Sequence, residues 1–146
     1  MMKGAGAYVR KGKWFFFTRC GITGGRGRLT RPPYSALPAD SSSSEKGAEA
    51  LKMLAASRDV PMPESLTDES HILPLYKLAG VRSWDGLARG AVGCNIDEDQ
   101  GVLRVYDLRR KGRGFSLGKG GNIILPETAS AQEIGEALEE VVRRNE

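Results

Sequence analysis

The sequence predicts one domain of the α/β class (α+β): a mixed, largely antiparallel sheet of about six strands with helices packed on it. Three observations carry that expectation. First, a segment occurs twice. Tyr34–Ser57 and Asn122–Arg144 both read Leu-Pro, three residues, Ser, two residues, Glu, one residue, Gly, with matching positions 88 apart. Second, the same offset runs upstream: Trp14–Thr18 falls on Val102–Tyr106, Tyr8 on Ile96, Gly24 on Gly112 and Leu29 on Leu117. Each half, 6–57 and 94–145, then reads as three strands and a capped helix, joined by a helical linker over 58–93. Third, 146 residues with 40% hydrophobic and 27% charged side chains suit one core of ordinary size. Two copies are too few for a solenoid, so the halves are expected to share one sheet.

The elements follow in order. A short strand is centred on Ala7–Val9, and Lys11–Lys13 is a turn. Trp14–Cys20 is the strongest strand, aromatic on both faces and therefore expected to be central and covered on both sides. Gly21–Gly27 is a basic loop, and Arg28–Leu37 is an extended segment that Pro32-Pro33 assigns to an edge. Ser42 and Glu45 form a capping box for the first long helix, as Ser130 and Glu133 do for the last. In both, a Gly follows inside the helix (Gly47, Gly135). Such a Gly costs about 1 kcal/mol relative to Ala, so its use twice points to close backbone packing, expected against the sheet. Arg58–Ser70 reads as a linker. Ile72–Ala79 is a short helix or turn closed by Gly80, and Ser83 caps a short helix over Trp84–Arg89. Ala91–Ile96 and Val102–Leu108 are strands around an acidic turn, Asp97–Gly101. A basic turn, Arg109–Gly114, then leads to strands Phe115–Leu117 and Asn122–Leu125 around the Gly118–Gly121 turn.

No residue pattern names a reaction. His71 is the single histidine and stands in a polar stretch without an orienting partner. Cys20 and Cys94 lack a CxxC spacing and are expected to be reduced and buried. Asp97-Glu98-Asp99 lacks the Gly and distant Glu of a calcium loop, and neither Gly-rich turn has the spacing of a phosphate loop. No catalytic residue, metal site or cofactor is expected. No apolar run reaches membrane-spanning length and no secretory leader precedes the first strand, so a cytoplasmic location is expected. A net charge of +4 permits an acidic partner or nucleic acid without requiring either. Trp14, Phe15 and Phe17 beside Lys11, Lys13 and Arg19 serve as a core or as an RNA-stacking platform, and the core reading is favoured because the exposed aromatic pattern of RNA-binding sheets is missing.

A resemblance supplies a function. AYVRKGKWFFFT, the Ser-Trp-x-x-Leu-Ala start at Ser83–Ala88, the strand pair after it and the two Leu-Pro…Ser-x-x-Glu-x-Gly helices together resemble the immunity proteins of bacterial contact-dependent growth inhibition. The resemblance spans residues 7–145. It implies a non-enzymatic cytoplasmic inhibitor that binds the C-terminal toxin domain of its cognate effector, a nuclease in many such systems, as a monomer in a 1:1 complex. The alternative is a small nucleic-acid-binding module using the same basic loops. Expected toxin contacts are Arg26, Arg28, Arg109, Arg110 and Arg113, with Tyr34 or Phe115 as apolar anchor. Arginine suits the role because its planar fork pairs with carboxylates. The 88-residue offset makes the two basic loops equivalent, which leaves two readings: one patch on one side of the sheet, or two separate solvated turns.

Overall fold

Two hairpins with the same turn begin the two halves. Strands β1 (Lys3–Arg10) and β2 (Lys13–Ile22) are joined by Lys11-Gly12, and β5 (Val92–Asp99) and β6 (Val102–Lys111) by Gln100-Gly101. Both residues of each turn have positive φ, the geometry that matches strand twist in a two-residue hairpin. A computed structural model describes residues 2–65, 69–112, 114–118 and 120–145. In it the strand order is β3-β2-β1-β5-β6-β7, with every neighbouring pair antiparallel. Strand β3 is Arg28–Leu37 and β7 is Gly114–Leu117; β8 (Ile123–Pro126) also pairs with β6. Residues Asp59–Val60, read as linker, form a further strand, β4, parallel to the end of β2. A two-residue strand has no periodicity to read.

The helices are α1 (Ser43–Ala56), α2 (Leu73–Ala79), α3 (Trp84–Ala88) and α4 (Ala131–Arg143). Both long helices carry the complete capping box, Ser42 with Glu45 and Ser130 with Glu133. Each box satisfies two N–H groups that would otherwise have no partner.

The sheet is covered unequally. On one face Ala5, Ala7, Trp14, Phe16, Ile96, Leu103 and Val105 meet Met53 and Leu54 of α1 and Ile134, Leu138 and Val141 of α4. On the other, Tyr8, Phe15 and Phe17 meet Leu75, Tyr76 and Leu87 from α2 and α3. Strand β2 therefore has aromatic side chains buried in both clusters, as its composition predicts.

The structure corrects four further readings. The two helical glycines face each other's helix and not the sheet: a Cβ on Gly47 would overlap the Ala131 carbonyl, and one on Gly135 the Ser43 carbonyl. The helices thus cross antiparallel over their first turns. The second correction is one residue of register. The hairpin turns are 89 positions apart while the capping boxes are 88 apart, so Ala7 and not Tyr8 corresponds to Ile96, and Trp14 to Leu103. A one-residue slip changes the face of every side chain, and Ala7, Ile96, Trp14 and Leu103 do share one cluster. Third, Asp97–Asp99 is strand and only Gln100-Gly101 turns; Asp97 is held by Arg19 at 2.8 Å. Fourth, β6 continues to Lys111 because Leu108–Lys111 pairs with β7.

Candidate functional site

The second face leaves a groove. Helix α2 has seven residues, with Pro74 in its first turn and Gly80 ending it in the left-handed conformation at φ 71. It buries Leu75 and Tyr76 and turns Leu73 and Leu78 outward, at 52% and 47% exposure. Strand β3 opposite is interrupted: Phe17 pairs with Tyr34 and Thr18 with Arg31, so Pro32 and Pro33 bulge out of the ladder across a cis bond. Proline removes a ladder donor and fits an edge bulge. Between helix and bulge lies a cavity of ≈ 500 Å³ lined by Pro32, Pro33, Tyr34, Pro74, Lys77 and Leu78. It continues past Lys77 and Leu78 into a second space of ≈ 320 Å³ at the β1–β2 turn, where Arg10, Lys11 and Lys13 stand. Among the described residues no carboxylate lines either space. Lys11, Lys13 and Lys77 are exposed and make no ion pair among the described residues.

Tyr34 forms one wall, and its hydroxyl donates to the His71 carbonyl at 2.7 Å. That bond fixes the ring and occupies the backbone of His71, whose exposed side chain lines a separate cleft with Arg31 and Glu69. Phe115 lies elsewhere. It stacks on Tyr8 at 5.2 Å and meets Trp84 edge-on at 5.9 Å, inside the second core cluster.

The two basic loops do not form one patch. Strands β1 and β6 point the same way and β2 the opposite way, so the β2–β3 loop with Arg26 lies at one end of the sheet and the β6–β7 turn at the other. Because β1 and β5 pair antiparallel at the centre of the strand order, the loops that follow their hairpins leave from opposite ends. Arg26 is exposed, and Arg28 donates through Nη2 to the Met2 carbonyl at 2.7 Å. Arg109 donates to Asn145 Oδ1 at 3.2 and 3.3 Å, tying β6 to the end of α4. Arg113, Lys119 of the Gly-rich turn, linker residues Leu66–Asp68 and the side chain of Arg110 lie outside the described residues. The end that holds Arg109 and Lys111 is also the end of the β1–β2 turn, so Lys11 and Lys13 stand at that end too, which the sequence offset does not indicate.

At the opposite end a polar network crosses the sheet. Arg19 Nη1 donates to Asp97 Oδ1 at 2.8 Å and to the Tyr106 hydroxyl at 3.1 Å, and that hydroxyl donates to Asp97 Oδ2 at 2.8 Å. Burial raises the Tyr106 hydroxyl above the usual tyrosine range, so it stays protonated and keeps donating. Both cysteines are buried, and burial pushes the Cys94 thiol up to about 12. Among the described residues no three or more His, Cys, Asp and Glu side chains are grouped to hold a metal ion. No described helix is long and apolar enough to cross a membrane.

The sheet is closed on one face by two interlocked helices and carries an apolar groove on the other, beside lysines that make no ion pair among the described residues. The chain belongs to the CDI immunity protein family, whose model matches residues 7–144. Two solved structures share the fold. One is a protein of unknown function from Neisseria meningitidis, 22% identical, with a TM-score of 0.79 over 100% of this chain and 96% of that one. The other is a chain of the CdiA-CT/CdiI toxin and immunity complex from Yersinia pseudotuberculosis, 18% identical, with a TM-score of 0.77 over 100% of this chain and 98% of that one. A comparison with curated proteins gives no match.

Proposed function

We propose that this protein neutralises the C-terminal toxin domain of a cognate contact-dependent growth inhibition effector by binding it in the cytoplasm, without catalysis, as one copy per toxin, and that the toxin is a nuclease. The family match across residues 7–144 carries the reading. The structural neighbour from a toxin–immunity complex supports a toxin domain as the partner class. The chemistry agrees with inhibition by contact. His71 contributes its carbonyl to the fold through Tyr34, and Asp97 is engaged by Arg19 and Tyr106. Arg26, Arg28, Arg109, Arg110 and Arg113 remain proposed contacts, with Arg26 and Arg109 at opposite ends of the sheet; either end alone can steer an acidic toxin surface.

Co-expression tests the proposal. The toxin domain encoded directly upstream should arrest growth and degrade cellular nucleic acid, and this protein should restore growth and leave the nucleic acid intact. The His71→Ala variant should protect as well as wild type. Arrest that persists with folded protein present would overturn immunity. Arrest with intact nucleic acid would remove only the nuclease assignment. Loss of protection in a folded His71→Ala variant would point to catalysis.

A further inference from the structure

We infer that the groove between α2 and the β3 bulge is the toxin-docking surface, and that it takes a segment whose apolar side chain is flanked by carboxylates. The inference rests on the proposed immunity function and assigns it a place. The floor is made of Pro33, Tyr34, Pro74 and Leu78, and it is apolar and exposed where the rest of this face is closed by Leu75, Tyr76 and Leu87. Three features make it a seat for a protein and not an incidental dent. Its walls are stiff: prolines supply half the floor, and Tyr34 is pinned to His71. Stiff walls reduce the ordering cost of binding. Its size, ≈ 500 Å³, admits a large aliphatic or aromatic side chain, the anchor type that dominates interface energies. Its rim is of one sign: Lys77 stands at the groove, and Arg10, Lys11 and Lys13 continue from it, with no carboxylate among them.

Charge complementarity selects the occupant. The rim lysines make no ion pair among the described residues and call for carboxylates at the border of the anchor. A nucleic acid would satisfy the lysines but not the floor. Base stacking needs a free aromatic face, and the floor offers prolines, Leu78 and one tyrosine. Exposed carboxylates also stand on the opposite face, on α1 and α4, at Glu45, Glu133 and Glu136. A toxin that presents carboxylates around an apolar side chain is attracted to the lysine rim.

Calorimetry and stopped-flow binding with the purified cognate toxin domain test this. Leu78→Asp should raise Kd by about thirtyfold, mainly through faster dissociation, as expected for an interface anchor. Lys11→Glu with Lys13→Glu should raise Kd by about tenfold, mainly through slower association that is less sensitive to salt. All three positions are exposed, and unchanged melting temperatures establish that the variants fold. Glu136→Lys on α4 should leave Kd within about twofold of wild type. If wild type binds tightly and the groove variants bind equally well, the groove is not the docking surface while the immunity function stands. If wild type does not bind the toxin, both fall. If the lysine variant loses affinity for tRNA but not for toxin, the rim is a nucleic-acid site and the inference is wrong.

Discussion

The two faces of the sheet use the same kinds of residue for different ends. Under α1 and α4 the packing is closed. Gly47 and Gly135 bring the helix backbones together, Ser44 Oγ donates to Gln132 at 2.7 Å, and the buried Lys46 reaches Glu139 at 3.0 Å while lying 5.1 Å from the Trp14 ring. Ser43 also donates to Glu139. Under α2 and α3 the packing is open. Two helices of seven and five residues cover part of one face; α2 turns Leu73 and Leu78 to solvent, and Pro33 of β3 is exposed beside it. A small domain needs one well-sealed core, and here it sits on one side. The other side can then carry apolar surface for a partner, because exposed apolar surface near charged residues marks an interaction site more often than a defect.

The largest effect that would break this comparison lies in the helix crossing. Gly135→Ala improves helix propensity by about 1 kcal/mol, yet its Cβ meets a backbone carbonyl that cannot step aside. The net loss should be about 3 kcal/mol, seen as a melting temperature lower by roughly 10 °C. Gly47→Ala should do the same from the other helix. Leu78→Asp, on the open face, should leave the melting temperature within about 2 °C, since its side chain has no core to disturb. Equal melting temperatures for Gly135→Ala and wild type would remove the difference between the faces.

A smaller effect is set by pH. The Glu45 and Glu133 carboxyls lie below the usual glutamate range because each accepts from the backbone N–H and then the side chain of its capping serine. For Glu139 burial works upward, but hydrogen bonds from Ser43 and Lys46 and the Lys46 charge outweigh it, and the carboxyl is also lowered. A lowered folded-state value means the folded protein holds its proton less tightly than the unfolded chain does. The stabilisation is therefore complete above the ordinary glutamate value of 4.5 and is lost as pH falls through the lower folded-state values. All three groups belong to the sealed side. Urea midpoints should fall between about pH 5 and about pH 3, and Glu45→Gln with Glu133→Gln should flatten that fall. A double variant that tracks wild type would show that the acid sensitivity lies elsewhere.

Much of the closed face is legible in the sequence. The capping boxes are a local signal, since Ser42/Glu45 and Ser130/Glu133 interact across three residues, and both form. The glycine pair announces close packing but not its partner, because helix-on-helix and helix-on-sheet contacts leave the same residue. Identity is strong at the helices and weak in the strands, so the sequence offers an offset of 88 for a hairpin that needs 89. The open face is hardly legible. Lys11-Gly12-Lys13 reads as a turn, and Leu78 as one more helical apolar position. Their meeting beside Tyr34 depends on where α2 docks, and a stretch of mixed polarity before it carries no period from which to read that.

Hydrogen exchange of the protein alone and bound to its cognate toxin domain tests the central claim most directly. The account predicts that binding slows exchange in α2 (Leu73–Ala79), in the β1–β2 turn at Lys11-Gly12 and along the outer edge of β3, and leaves α1 and α4 at their free rates. Slowing confined to α1 and α4, with α2 and β3 unchanged, would contradict it and place the toxin on the acidic helices.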